Sequence, residues 1–170
     1  MKIIPYSGLK KTAQSLEVVD CNNIPLCVMA KEDVLRQHLP HRTVVLLVQD
    51  RIGRSLLTLS EQGWSFSSYG HVPAGMACES YAQELLLQEW GQESGRLACL
   101  GLMPPIEENG QTFLHLYTAC LPRSILTSRA AARDRHLLVD QDELQGLEAH
   151  FGDLLSPLMR AAIGGGYLFR

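Results

Sequence analysis

One stretch, from Ser68 to Leu97, constrains the fold of this chain more than any other. It begins with a glycine-containing turn, SSYGHVPAG, and continues as an amphipathic segment, CESYAQELLLQEWGQESG. At about 100° per residue, Glu89 and Glu93 lie one turn apart on the same face of a helix, and the apolar side chains lie roughly a quarter-turn away. We therefore predict a turn followed by a helix that ends at Gly95 and presents two carboxylates.

Paired carboxylates beside a glycine turn suit a hard divalent cation. Magnesium prefers oxygen ligands and commonly keeps substrate phosphates in its coordination shell. The alternative is that the pair is only the solvated side of an amphipathic helix, as most glutamate pairs at this spacing are. The turn before the helix and the predicted hairpins on both sides of it favour a functional role.

The same stretch resembles the signature of the Nudix hydrolases. That signature reads Gly, five residues, Glu, seven residues, Arg-Glu, a hydrophobic residue, any residue, Glu-Glu, any residue, Gly. When its end is aligned first, Glu89, Glu93 and Gly95 match. Gln88 then stands for the arginine and Gln92 for the first glutamate of the pair. The signature in this chain is therefore degenerate.

The first half of the signature allows two registers. Four residues match the family's Gly-His-Val loop: Gly70, His71, Val72 and Gly75. In the first register, residues 76–78 are an insertion, and Ser80 takes the place of the first glutamate, with Glu79 beside it. The family's first glutamate and its arginine, usually a charge pair, are then both missing, so no buried charge is left without a partner.

The gap-free register from Gly70 gives a different assignment. Met76 takes the place of the first glutamate, Glu84 that of the arginine and Leu85 that of the next glutamate, so that only Glu89 and Gly91 match near the end. We prefer the first register, because it also places three apolar residues at the family's buried helix positions: Leu85, Leu86 and Trp90.

The resemblance implies a divalent-metal site with Mg²⁺ or Mn²⁺ as the cofactor. It implies oxygen ligands from Gly70, Glu89, Gln92 and Glu93. It also implies that Glu89, Glu93 and Glu79 are the catalytic residues, which orient or deprotonate the attacking water. Because Gln92 lacks the charge of a glutamate ligand, we expect a weaker metal affinity.

The remaining sequence predicts alternating strands and helices. LEVVD and LCVMA predict a hairpin, KEDVLRQH a short helix, TVVLLVQD a strand buried on both faces, and RSLLTLS its hairpin partner. LACLGLMPP and TFLHLYTACLP predict two further strands, Asp140 or Asp142 caps a helix, and another helix runs from Ser156 to Ile163. Glu17 to Asp20, Leu39, His41 and Arg42 resemble the Nudix subgroup that contains isopentenyl-diphosphate isomerase and its hydrolase-like relatives.

These elements predict an α/β fold, and the resemblance implies the Nudix α/β/α sandwich with a mixed β-sheet. We expect one domain over residues 1–170. It comprises an N-terminal hairpin and short helix (14–40), a core with the signature helix (41–122) and C-terminal helices (140–164).

Two groups outside the signature have alternative explanations. Glu107 and Glu108, in the loop IEENG, either supply the general base or belong to a solvated turn. We favour the solvated turn. The segment SRAAARDRH contains Arg129, Arg133 and Arg135. These arginines either hold a phosphate or lie in an exposed connecting segment. We favour the connecting segment.

We expect the histidines and cysteines to have structural rather than catalytic or metal-binding roles. His41, His71 and His115 are far apart in the sequence and show no repeated ligand spacing. The five cysteines are an odd number without a Cys-x-x-Cys pair, which argues against a zinc knuckle or a disulfide framework. We expect Cys99 and Cys120, in apolar strands, to be buried.

The composition limits the classes of partner that we expect the chain to bind. The chain has 170 residues and a net charge of −3 without a Lys/Arg cluster, which gives no footprint for nucleic acid or an anionic membrane. No apolar run reaches the length of a membrane span, and the apolar run at the N-terminus is too short for a secretory signal. We therefore expect a cytoplasmic protein with a small-molecule diphosphate substrate, and a homodimer is compatible with the resemblance.

Three functions follow from the resemblance. The first is a metal-dependent hydrolase that cleaves a nucleoside diphosphate linked to another moiety, slowly because the signature is degenerate. The second is a catalytically inactive Nudix domain that binds a nucleotide or a protein. The third and least favoured is an isomerase of isopentenyl diphosphate, because no cysteine matches the family's catalytic one.

Overall fold

A mixed β-sheet with helices on both faces forms the body of the protein. The structure, a computed structural model, describes residues 14–92, 96–131 and 134–168. The strands are β1 (Ser15–Val19), β2 (Pro25–Ala30), β3 (Arg42–Gln49), β4 (Ser55–Ser60), β5 (Gly63–Ser65), β6 (Ser68–His71), β7 (Arg96–Met103), β8 (Phe113–Cys120) and β9 (His136–Val139). The helices are α1 (Lys31–Arg36), α2 (Cys78–Trp90), α3 (Arg123–Ala130), α4 (Gln141–Phe151) and α5 (Pro157–Gly164).

Strand β3 is the centre of the larger sheet. The order of strands is β5-β4-β3-β8-β7, while β6 also pairs with β3 and β9 with β4. Strands β3 and β8 are parallel, and the other pairs are antiparallel. Residues 43–48 of β3 are all buried, which confirms the strand predicted from TVVLLVQD.

Side chains of β3 alternate between two apolar cores. Val44, Leu46 and Val48 pack with α2 and with Leu126 of α3 on one face of the sheet. The other face packs against α4 and α5. This arrangement follows from the period of two in a strand and confirms the predicted α/β/α sandwich.

The N-terminal hairpin is a separate small sheet. Strands β1 and β2 are antiparallel, and α1 follows them directly, as predicted. Leu16 and Val18 of β1 pack with Val34 of α1. Single backbone bridges from these two β1 residues to Pro73 and His41 join the hairpin to the loop before α2 and to the start of β3.

The C-terminal helices also agree with the sequence. Asp140 accepts a hydrogen bond from the Glu143 amide at 2.8 Å, and the Glu143 side chain accepts one from the Asp140 amide, so Asp140 caps α4. Ser156 caps α5, because its hydroxyl accepts a hydrogen bond from the Met159 amide at 3.1 Å. In the described parts of the chain, no helix has the length and apolar character needed to cross a membrane.

The prediction that Cys99 and Cys120 are buried is wrong. Cys99 and Cys120 are exposed, since Cys99 lies on the edge strand β7 and Cys120 ends β8 beside it. The segment SRAAARDRH runs from the last three residues of α3 to the first residue of β9, and Arg129 in it is exposed. Strand β9 pairs with β4 although its sequence, HLLV, is short and lies outside the predicted core.

Candidate functional site

Helix α2 is shorter than the sequence predicted. It starts at Cys78, after a turn in which the Met76 amide donates to the Pro73 carbonyl at 3.1 Å. It ends at Gly91, whose left-handed backbone (φ 66°) lets its amide donate to the Leu87 carbonyl. A glycine in this conformation is a common helix end. The prediction that the helix continues to Gly95 is therefore wrong.

This helix end favours the gap-free register of the Nudix signature. The interval from Gly70 to Gly91 has the length of the gap-free signature, and Gly91 stands where its final glycine belongs. Gln88 and Glu89 then occupy the positions of the Glu-Glu pair. Leu85 occupies the position of the preceding glutamate, but its side chain is only 5% exposed and packs into the core. The register with an insertion is thus not supported.

The structure separates the predicted site residues. Glu89 is exposed on the last turn of α2, whereas Glu79 is exposed on the first turn, ten residues or roughly 15 Å away along the axis. Gln92 lies beyond the helix, and its side-chain Nε2 donates to the Gly91 carbonyl at 3.3 Å. Glu93 lies outside the described residues. Glu79 and Gln92 therefore do not share a helix face with Glu89.

Gly70 lies in β6, opposite Val44 of β3. The Val72 amide donates to the Arg42 carbonyl at 3.0 Å, and hydrogen-bonded pairs recur at every second residue of an antiparallel ladder. The Gly70 carbonyl therefore faces Val44 of β3.

A tyrosine covers Gly70 from the other side. A Cβ atom at Gly70 would overlap the Tyr81 hydroxyl oxygen, so only glycine fits without movement. Burial raises the pKa of Tyr81, and the nearby charges of Glu84 and Glu89 raise it further. Sequence reasoning missed this contact, which joins the first glycine of the signature to α2.

A different ion pair braces the loop before α2. Glu17 of β1 accepts a hydrogen bond from the Gly75 amide at 3.1 Å and pairs with Arg42 at 2.7 Å. Arg42 also donates to the Asn23 side chain at 2.8 Å and to the Asn23 carbonyl at 2.7 Å. The N-terminal hairpin thus holds this loop, which in the Nudix family is braced by a pair within the signature.

The C-terminal end of α2 is held by Trp90 and Arg129. The Trp90 indole N–H donates to the Ser68 hydroxyl at 2.9 Å. The Arg129 guanidinium lies 4.9 Å from the centre of the Trp90 ring and donates to the Glu89 carbonyl. Arg129, a candidate phosphate ligand from the sequence, is therefore engaged with α2, and Arg133 lies outside the described residues.

A pocket of about 610 Å³ opens beside Glu89. Its walls come from β4, β5, β6, the end of α2, the β7–β8 loop and the start of α5. The lining residues are Thr58, Ser60, Gln62, Ser65, Phe66, Ser67, Ser68, Tyr69, Glu89, Glu107, Glu108, Asn109, Gly110, Ser156 and Leu158. This volume lies within the range of small-molecule sites.

Glu107 and Glu108 reach this pocket because the β7–β8 loop is well held. The loop forms a short 3-10 helix, Glu107–Asn109. Buried Asn109 accepts from the Ile106 and Thr112 amides at 3.0 and 3.1 Å and donates to the Pro104 carbonyl at 2.8 Å. The sequence favoured a plain solvated turn, but the structure brings these two glutamates to the same pocket as Glu89.

His41 and His71 form a hydrogen-bonded pair despite their separation in sequence. His41 Nε2 and His71 Nδ1 lie 2.8 Å apart, and His41 Nδ1 lies 2.8 Å from the Leu39 carbonyl. Because a carbonyl only accepts, His41 Nδ1 donates to it, and neutral His71 donates to His41. Burial, together with the charges of His41 and Lys31, lowers the pKa of His71 to about 4.

The described residues do not fit a Nudix metal site. Among them, no three His, Cys, Asp or Glu side chains lie close enough to hold one ion. The Gly70 carbonyl faces β3, and Leu85 and Gln88 stand where the gap-free signature has glutamates. Glu89 alone remains of the three acidic positions near the end of that signature, and one carboxylate is a weak magnesium ligand without substrate phosphates.

The sheet order, the two helical layers and the glycine loop that precedes α2 define a class of α/β/α sandwich. DR0079 from Deinococcus radiodurans matches with a TM-score of 0.70 at 14% identity, over 92% of this chain and 100% of that one. A mutT/nudix family protein from Listeria innocua matches with a TM-score of 0.53 at 19% identity, over 76% and 97%. No protein-family model matches the sequence, and a search of curated proteins finds no match. The chain has the Nudix fold.

Proposed function

We propose that this chain is a Nudix-fold binding domain that holds a small molecule in the pocket beside Glu89 and does not hydrolyse a diphosphate. The observation that carries this proposal is the end of α2 at Gly91. It supports the gap-free register, in which Met76, Leu85 and Gln88 replace three of the four glutamates of the signature. The second of the functions implied by the sequence is thus the better supported one.

The position of Leu85 is the strongest part of this argument. Its side chain packs in the core with Leu86 and Trp90 rather than facing the pocket. A glutamate would be needed there to hold a metal and a diphosphate together. Loss of this carboxylate removes a full charge from the donor set and cannot be offset by Gln88, which is neutral.

A hydrolase is the second candidate, and one observation favours it. Glu107 and Glu108 line the same pocket as Glu89, so a substrate bound there would meet three carboxylates. Glu107 or Glu108 would then take a proton from the attacking water while Glu89 orients it. A bound divalent ion would supply charge stabilisation at the phosphate oxygens.

Phosphate release from a panel of nucleoside diphosphates linked to another moiety, with Mg²⁺ or Mn²⁺ and a coupling phosphatase that frees phosphate from the monoester products, separates the two candidates. We expect the wild type to release no more phosphate than the Glu89→Gln variant. Metal-dependent release that Glu89→Gln abolishes, and that Glu148→Gln on the surface of α4 retains, would establish the hydrolase instead. Both substitutions remove one exposed carboxylate, so they are matched in charge.

A further inference from the structure

Strand β9 and the helix that follows it form an apolar surface away from the pocket beside Glu89. A groove of about 390 Å³ lies between β9 and α4. Its described lining shares no residue with that of the pocket. The large apolar side chains of the groove are Leu137, Leu138, Val139, Leu147 and Phe151. We propose that this surface is an interface between two copies of the chain, joined by antiparallel pairing of β9 with β9 of the second copy.

The outer edge of β9 is able to pair with a further strand. The Leu59 amide of β4 donates to the Arg135 carbonyl at 2.9 Å, and hydrogen-bonded pairs recur at every second residue of an antiparallel ladder. The backbone groups of His136 and Leu138 therefore point away from β4. Among the described strands, β9 pairs with β4 alone, in a continuous register. Residues 137–139 include no proline or lysine of the kind that blocks edge pairing.

The direction of these backbone groups limits how two copies of β9 pair. Residues whose backbone groups point outward must lie opposite each other in an antiparallel pair. A two-fold axis through Leu138 meets this condition and places His136 opposite Asp140 of the partner copy. An axis through Leu137 also meets it, but it places Asp134 opposite Asp140, and like charges directly opposite are destabilising. The axis through Leu138 is therefore favoured. Such an interface is isologous, because both copies contribute the same surface.

The start of β9 is cationic. Burial lowers the pKa of His136, and two nearby arginines lower it further against one opposing carboxylate. The arginines are Arg129 and Arg135, and the carboxylate is that of Asp134. Arg129 is already engaged with the Trp90 ring. Arg135 is exposed, and the ion pairs of the described residues lie elsewhere, so its charge is available to a partner.

The end of β9 and the start of α4 are anionic. Three exposed carboxylates lie there: Asp140, Asp142 and Glu143. Residues 136–159 contain no lysine or arginine that would compensate them. With the axis at Leu138, Arg135 lies opposite Gln141 of the partner copy, next to these carboxylates. Both ends of the interface thus join opposite charges around an apolar centre. A second copy of the chain supplies this pattern of charges, which identifies it as the occupant.

Helix α4 completes the interface. Phe151 at its end is 56% exposed and lines the groove, and Leu154 beyond it is 47% exposed. Large exposed apolar side chains on one surface mark a site of interaction. A two-fold axis perpendicular to the sheet places both copies of α4 on the same face of the joined sheet. Each groove then has the partner's α4 beside it, so apolar side chains are buried on both sides of the axis.

Sedimentation equilibrium of the full chain over a range of concentrations tests this inference. We expect the wild type to show a monomer–dimer equilibrium. Phe151→Arg places a charge in the groove, and Arg135→Glu places like charges together at both ends of the interface. Each should weaken the dimer roughly tenfold or more. Leu87→Arg is the matched control, because Leu87 is 44% exposed on α2, outside the groove, and its replacement should leave the equilibrium unchanged.

A charge exchange tests the antiparallel arrangement. Asp142→Arg, added to Arg135→Glu in the same chain, reverses both partners of the contact between copies. Because the axis is two-fold, this one double variant reverses the contact at both ends and should restore the dimer. Both residues are exposed, so circular dichroism should show the same fold in the single and double variants.

Three results would overturn the inference. The first is a wild-type chain that stays monomeric at millimolar concentration. The second is a dimer that Phe151→Arg and Arg135→Glu leave as strong as Leu87→Arg does, because such a dimer would use another face. The third is a dimer that Arg135→Glu breaks and Asp142→Arg does not restore. The pocket beside Glu89 is tested separately by phosphate release, so the interface and the proposed function fail independently.

Discussion

Helix α2 has two faces that relate differently to the Nudix signature. Its packing face, with Leu85, Leu86 and Trp90, is buried at helical spacing as in the family. Its polar face presents only Glu89 to the pocket. The apolar spacing of a helix determines how it packs, and the identity of a few polar residues determines what its site can bind. The fold is therefore compatible with a site of different chemistry.

Removing a side chain from the packing face should have the largest effect. Leu86 is 1% exposed, so Leu86→Ala should lower the free energy of unfolding by about 3 kcal/mol through lost burial and a cavity. The next residue is a matched control. Leu87 is 44% exposed, and Leu87→Ala should change stability by no more than about 0.5 kcal/mol. Urea denaturation measures both, and equal losses would contradict the assignment of the two faces.

The contact between β6 and α2 should be sensitive to a single methyl group. Gly70→Ala places a Cβ atom against Tyr81, and we expect a loss of about 2 kcal/mol from overpacking. In the Tyr81→Ala background the same substitution should cost far less, which a double-mutant cycle detects. Gly146→Ala on α4, where nothing lies within 4 Å, should instead stabilise the protein by up to about 1 kcal/mol. Additive losses at Gly70 and Tyr81 would contradict the contact.

The same strand, β6, ends at His71, which makes stability depend on pH. The folded protein keeps His71 neutral down to about pH 4, whereas an unfolded histidine takes a proton near pH 6.5. Between these values the unfolded state binds more protons, so stability should fall by roughly 2 kcal/mol from pH 7 to pH 5.

Thermal unfolding at both pH values measures this loss. His71→Gln should reduce the pH dependence, and part of it should remain because burial also lowers the pKa of His41, His115 and His136. His150→Gln on the exposed end of α4 should retain the wild-type slope. The same slope in wild type and His71→Gln would contradict the assignment.

Trp90 lies where the two faces of α2 meet. Removing its polar contact should have the smallest effect on stability of these substitutions. Trp90→Phe keeps the ring in the core but removes the hydrogen bond to Ser68, for a loss of about 1 kcal/mol. Ser68→Ala should then add little to Trp90→Phe. If the two losses add fully in denaturation experiments, the hydrogen bond is not the shared cause.

Much of the fold was predictable from local patterns. The apolar run of β3, the hairpin signals and the cap at Asp140 are short-range features, and the structure confirms them. Strand β9 was not predictable, because its four residues are stabilised by pairing with β4 rather than by their own pattern.

The site was less predictable than the fold. Leu85, Leu86 and Trp90 lie on the packing face in either register, so burial could not choose between registers. The informative signal was Gly91, a glycine directly after an apolar helical segment, which is the usual sign of a helix end. Glu89 and Glu107 line the same pocket because of how a loop distant in sequence packs, and no local sequence pattern predicts that packing.

The central claim is that α2 retains too few acidic ligands for a Nudix metal site. Manganese binding tests this claim most directly. Electron paramagnetic resonance of free Mn²⁺, titrated with wild-type protein and with Glu89→Gln, measures the metal bound at equilibrium. We predict no stoichiometric site in either protein, and therefore the same free Mn²⁺ signal in both. A one-to-one Mn²⁺ site in the wild type that Glu89→Gln abolishes would contradict the account.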